Sequence, residues 1–159
     1  MNRDQFISLV EKEQEQLRRF LLALCCGDRE EANDLAQETF VKAYLSSNSY
    51  RDEGKFTAWL YKIAHNTFLD KKKCQKETQS IDDSLAISDR SFTADRSFQY
   101  QDLYAAIASL PTKERTSILL FYLKGYAIKE ISDIIDCSTD AVKKQLSRGR
   151  EQLKMKLER

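Results

Sequence analysis

Five side chains near the C-terminus, Lys143, Lys144, Ser147, Arg148 and Arg150, fall on one side of a helix or its flanks, away from Val142, Leu146 and Leu153. Lysine and arginine bridge phosphates, arginine also reads guanine edges in a major groove, and serine is a small donor or acceptor. A second series, Tyr61, Lys62, His65, Leu69, Lys72 and Lys73, puts rings among cations. That mixture stacks on unpaired bases while following a phosphate backbone. A third group, Asp34, Gln37, Glu38, Val41 and Leu45, fills one narrow arc of a helix. Acids beside exposed apolar groups suit a protein partner with basic and apolar groups of its own. Each group also has a plainer reading: an amphipathic surface helix, a solubilising lysine-rich helix end, a solvated face. Spacing alone leaves both open.

No catalytic residue and no metal ligand set is expected. Neither a CxxC pair nor a Cys/His cluster with zinc spacing occurs, and His65 is the sole histidine. Cys25, Cys26, Cys74 and Cys137 read as reduced structural thiols. No cofactor is implied.

The elements that must carry these groups are helical. The chain has 159 residues with 4 Gly, 1 Pro, 32% charged and 42% apolar residues, which favours an all-α protein over sheets with tight turns. The apolar run Phe20 to Cys26 is too short to span a membrane, and the N-terminus lacks the order of a secretory signal. A cytoplasmic protein without membrane insertion is expected. The net charge of +1 hides segregation: −3 over 27–47, +4 over 48–76, −4 over 77–102 and +4 over 103–159. The acidic stretch is rich in Ser, Thr and Asp, with no sustained apolar period. Such a segment gains too little from burial to order itself, which predicts a flexible linker. The expected organisation is 1–76 as one small helical domain, 77–98 as linker and 99–159 as a second.

Periodicity gives the first domain three helices. Phe6, Leu9, Val10, Leu17, Phe20, Leu21 and Leu24 line the first, which Gly27 ends; Asp28 caps the second. Ala32, Leu35, Ala36, Thr39, Phe40, Ala43 and Tyr44 face inward on that second helix. The third starts near Phe56 and buries Phe56, Trp59, Leu60, Ile63, Ala64 and Thr67, leaving the basic-aromatic series outside. In the second domain one helix runs from about Gln99 to Ser109, and another has Pro111 in its first turn and ends at Gly125. Its six successive apolar residues, Ile118 to Leu123, exceed what one face can hide. Ala127 to Ile135, the break Asp136-Cys137-Ser138 and a long basic helix then read as a helix-turn-helix, with Val142, Leu146, Leu153 and Leu157 inside.

Three segments, DLAQETFVKAYL (Asp34–Leu45), FTAWLYKIAHNTFLDKKK (Phe56–Lys73) and LPTKERTSILLFYLKGYAIKEISDIIDCSTDAVKKQLSRGREQL (Leu110–Leu153), resemble bacterial sigma factors. The likeness is to the extracytoplasmic-function group of the sigma-70 family, which keeps only the second and fourth sigma domains. It covers nearly the whole chain apart from the linker. It implies a non-enzymatic protein that joins the RNA polymerase core, directs it to promoters and helps open the −10 region.

Residue by residue, the resemblance places Asp34, Gln37, Glu38 and Val41 against the clamp helices of the polymerase β′ subunit. It assigns Tyr61, Lys62, His65, Asn66, Lys72 and Lys73 to the −10 strand, with Asn48, Tyr50 and Arg51 as a base-capturing loop. It assigns Lys143, Lys144, Ser147 and Arg148 to the −35 element, and part of Ile118–Leu123 to the β flap. An anti-sigma factor is a further partner that the family admits. Departures occur at Asp136, at Ser138 to Asp140, at Lys144-Gln145 and at His65, where the family often has other residues. They leave the promoter sequence unread. A stand-alone helix-turn-helix regulator that binds duplex DNA as a dimer is the alternative. The tether lets the two modules separate, so core polymerase is expected to set their spacing.

Overall fold

The computed structural model describes residues 3–50, 55–78 and 101–157, and every regular element among them is helical. Helix α1 (Arg3–Leu24) closes with Gly27 N–H donating to Leu22 O and Cys26 N–H to Ala23 O. This is the paired end that satisfies the last carbonyls, and it needs a left-handed residue. Cys26 takes that place at φ 57°, followed by Gly27 at φ 90°. Asp28 then caps α2 (Arg29–Leu45) by accepting from Glu31 N–H at 3.1 Å. A short 3-10 turn, Ser47–Ser49, leads toward α3 (Phe56–Thr78). Leu17, Phe20, Leu21 and Leu24 of α1 meet Leu35 and Ala36 of α2 and Leu60, Ala64 and Phe68 of α3 in one buried core.

The second group starts with α4 (Gln101–Ala108). Pro111 sits just before α5 (Thr112–Ile118) rather than inside its first turn. Its ψ of 154° is extended, so the ring directs the chain into the helix from outside it. From Ile118 the chain passes directly into a π-helical turn, Leu119–Leu123. The wider turn divides the apolar run: Ile118, Leu119 and Leu120 go inside, while Tyr122 and Leu123 stay exposed. Gly125 turns the chain at φ +74° into α6 (Ile128–Ile135), where Glu130 carboxylate accepts from Ala127 N–H at 2.9 Å. Asp136 ends α6 in the left-handed region at φ 57°. An aspartate tolerates that conformation, so the helix end needs no glycine there. Ser138 Oγ accepts from Ala141 N–H at 3.1 Å and caps α7 (Thr139–Leu157).

Gly149 is explained by packing. A Cβ at this position would lie 2.7 Å from Ile118 Cγ1 and 3.0 Å from Ile118 Cδ1. Helices α5 and α7 cross closely there, so the missing side chain is what lets them touch. Gly149→Ala gains about 1 kcal/mol of helix propensity yet forces the contact apart, which costs about 1–3 kcal/mol. A net loss of stability is expected in urea unfolding, and Ile118→Ala in the same chain should remove most of the penalty attributable to alanine at 149.

Several expectations need correction. Leu157 is exposed, because the last turn of α7 runs past the core. Tyr44 is half exposed, and Trp59 and Ile63 are only partly covered. Helix α3 continues to Thr78, two residues into the stretch expected as linker, and the remainder of that expected linker, 79–98, lies outside the described residues.

The two helical groups also pack on each other. Helix α6 lies along α3, and α1 touches α4, α5 and the π-helical turn. Tyr61 meets Tyr126 edge to face, with ring centroids 6.0 Å apart. Lys124 reaches α1, pairing with Glu13 at 3.5 Å and hydrogen-bonding Gln16, and its ammonium stands 5.0 Å from the Tyr61 ring centroid. Arg115, almost fully buried, donates from Nη1 to Ala108 O at 3.1 Å and to Cys26 Sγ at 3.0 Å. Two modules expected to part on their tether therefore share a buried seam.

Candidate nucleic-acid interface

Helix α7 presents Lys143, Lys144, Ser147 and Arg148 to solvent together. Its opposite side is held by Val142 and Leu146, both fully buried. Gln145 turns inward: Ser117 Oγ donates to its Oε1 at 2.6 Å, tying α7 to α5. The local departure at Lys144-Gln145 thus splits into one outward cation and one inward anchor. Arg150 is engaged elsewhere, donating to Tyr122 Oη at 2.6 Å and lying over the Phe121 and Tyr122 rings. A rigid helix carrying four free polar side chains is suited to enter a DNA groove.

On α2, Asp34, Gln37, Glu38 and Val41 are exposed together, with Leu45 and Tyr44 continuing the patch. Asp34 faces Lys71 at 3.8 Å, and Glu38 faces Lys42 at 3.9 Å. Exposed pairs of this kind contribute only about 0–1 kcal/mol, so a partner's cations can replace them readily. A groove of about 340 Å³ between α2 and α3 is lined by Lys42, Leu45, Ser46, Ile63, Asn66 and Thr67. It brings Asn66 beside the chain segment that leads to exposed Asn48.

The basic-aromatic series on α3 is not the uniform outward stripe that periodicity suggests. Lys62, Asn66, Leu69 and Lys73 are exposed, and Lys72 is partly covered, pairing with Glu31 at 3.6 Å above the Phe68 ring. Tyr61 and His65, one turn apart on one face, are buried. Their rings fill the space between α3 and its neighbours, Tyr61 lying against Phe20 of α1 as well as Tyr126. Tyr50 is also buried, its ring 4.9 Å from that of Trp59 and 5.9 Å from that of Phe56. Arg51 lies outside the described residues.

Two polar atoms in this region, Tyr61 Oη and His65 Nδ1, are buried with no hydrogen-bond partner among the described residues. Each such atom costs about 1–3 kcal/mol of lost hydration. Burial pushes the Tyr61 phenol up and the His65 imidazole down, to about 4. At neutral pH His65 is therefore uncharged in this conformation and gives no cation to the series. Unfolding releases an imidazole that takes up a proton below about pH 6.5, whereas the folded one resists protonation down to about pH 4. Stability contributed by the neutral ring is present above pH 6.5 and falls as pH drops toward 4, by about 2 kcal/mol at pH 5. Urea midpoints measured at neutral pH and at pH 5 should show this decline, and His65→Gln should flatten it.

Sequence reasoning passed over Arg115, Lys124 and Tyr126. The surplus of apolar residues at Ile118–Leu123 was the available signal that this part meets another element, but it names no partner residue.

The Sigma-70 region 2 family model matches residues 9–78, and the Sigma-70, region 4 family model matches residues 100–153. The chain is 28% identical over 170 residues to the ECF RNA polymerase sigma factor SigW of Bacillus subtilis, covering 98% of this chain and 90% of that protein. It is 35% identical over 140 residues to SigM of the same organism, covering 86% and 85%. The crystal structure of the sigma factor RpoE in complex with the anti-sigma factor NepR from Bartonella quintana superposes with a TM-score of 0.82 at 26% identity, covering 97% of both chains. Two helical groups in this order agree with these matches. The chain belongs to the extracytoplasmic-function group of the sigma-70 family.

Proposed function

We propose that this chain joins the core of bacterial RNA polymerase and directs it to promoters by recognising −10 and −35 elements. It performs no catalysis itself and works in the cytoplasm. The observation that carries the reading is the pairing of region 2 and region 4 matches in one chain, each with a solvent-facing candidate surface. Asp34, Gln37, Glu38 and Val41 are assigned to the core polymerase, with the β′ clamp helices as the docking site. Lys143, Lys144, Ser147 and Arg148 are assigned to the −35 duplex. Lys62, Asn66, Lys72 and Lys73 follow the −10 strand, with Asn48, Tyr50 and Arg51 beside it and Tyr61 and His65 beneath. The boundaries 1–76 and 99–159 are assigned to the two modules. An anti-sigma partner is proposed by analogy with RpoE, which NepR binds.

Cationic modules of this size bind DNA weakly alone, and linking two through a large machine multiplies their effect. Relatives aligned over most of this chain are sigma factors, which favours this reading over a stand-alone dimeric regulator. The test is co-elution with purified core polymerase. The wild-type chain should form a stable complex, and the pair Asp34→Lys and Glu38→Lys should abolish it while leaving helix content unchanged. A chain that never associates with core would contradict the proposal.

A further inference from the structure

Arg150 has the charge of a DNA contact but not the direction of one. At about 100° per residue it falls within about 20° of Lys143, two turns along α7, where it would extend the cationic flank of the reading face. Its guanidinium instead turns back onto the π-helical turn Leu119–Leu123. Nε donates to Tyr122 Oη at 2.6 Å, and the group stands 5.4 Å from the Phe121 ring centroid and 5.6 Å from that of Tyr122. Those two rings pack edge to face with centroids 4.9 Å apart, so the arginine meets a preformed aromatic corner.

Three stitches join α7 to the segment that precedes the helix-turn-helix. Ser117 Oγ donates to Gln145, Ile118 sits close over Gly149, and Arg150 clasps Tyr122. Around the α7 axis, Gln145 lies about 100° to one side of buried Leu146, and Arg150 about 40° to the other. The two polar stitches therefore border opposite edges of the buried face, and a roll of the helix in either direction strains one of them. We propose that Arg150 is a positioning residue for duplex recognition and not a DNA contact: by holding Tyr122 it fixes the roll of α7, and with it the aim of Lys143, Lys144, Ser147 and Arg148. This deepens the proposed function and rests on its assignment of that face to the −35 element. Readout of base edges needs the reading side chains held within about 0.5 Å and 10–20° of the productive arrangement. A clasp between exposed groups adds little to the stability of the fold, yet it acts directly on that orientation.

The test uses the complex with core polymerase on promoter DNA whose −35 element is substituted one pair at a time. Two quantities are read: the ranking of the −35 variants and the salt slope of binding. Tyr122→Leu removes the acceptor and one ring without touching any charge, and Arg150→Ala removes the donor. Each should reduce discrimination about fivefold at the base pairs α7 reads, the lower end of what one good base contact supplies. Neither should change the salt slope, whereas loss of a phosphate contact would lower it by about one ion. The double variant should lose no more discrimination than either single one, because both residues act through one contact. Urea midpoints of the free chains should stay near that of the wild type, which separates misaimed reading from unfolding. Uniform weakening and a lower slope after Arg150→Ala, with Tyr122→Leu silent, would make Arg150 a phosphate contact and overturn the inference. An unchanged ranking in every variant would overturn it as well. If the wild-type complex itself ranks no −35 variant, the assignment of α7 falls, and this inference with it, while core association still tests the rest of the function separately.

Discussion

Leu146→Ala should unfold the helix-turn-helix while leaving α1 to α3 folded. Leu146 is 1% exposed and anchors the middle of α7 against the core of the second domain. Truncating a leucine so placed costs about 2–5 kcal/mol, because the lost methyl groups leave a cavity that neighbours fill only partly. That is a large share of the total stability of about 5–15 kcal/mol usual for a domain. Helix α7 packs chiefly on α4, α5 and α6, so the damage should stay on that side of the seam. Hydrogen exchange read segment by segment should show protection lost over 101–157 and kept in α1 and α2. Uniform loss across the chain would mean that the two groups fold as one unit. The same variant should abolish −35 selectivity even though residue 146 itself never faces DNA.

Arg148→Ala should do the opposite, sparing the fold and relaxing base discrimination. Arg148 is exposed and enters no ion pair among the described residues, so its removal should change stability by no more than about 0.5 kcal/mol. A good bidentate arginine contact to a base contributes about 1–3 kcal/mol of discrimination, or roughly 5- to 150-fold. Promoter variants substituted one pair at a time across the −35 element, bound by the polymerase complex, should lose their ranking at one position. Lys72→Ala should instead weaken all sequences alike and lower the salt slope by about one ion, because a phosphate contact carries no base information. Equal weakening on every −35 variant after Arg148→Ala would assign this arginine to the backbone.

Periodicity and breakers made the helices legible because each of those signals is local. Gly27, Asp28, Ser138 and the Leu110-Pro111 pair mark ends through φ preferences and capping that depend on a few neighbours. The faces of α2 and α7 could be read for the same reason, since an exposed face needs only one helix to define it. Helix α3 misled because two other elements compete for it. Tyr61 looks outward from the spacing of α3 alone, and it is buried between Phe20 of α1 and Tyr126, which arrives from a part of the chain far away in sequence. Gly149 was opaque on similar grounds. Its meaning lies in Ile118, on another helix, and no spacing within α7 points there. The π-helical turn was announced only as an excess of apolar residues, because a backbone widening has no residue code of its own.

The most direct measurement maps transcript 5′ ends made by purified core polymerase on genomic DNA from the source organism, with and without this chain. New start sites should appear with the chain, sharing two upstream elements at a constant separation, and Arg148→Ala should scatter the sites by relaxing only the farther element. An identical set of start sites in both reactions would contradict the claim that this protein chooses where transcription begins.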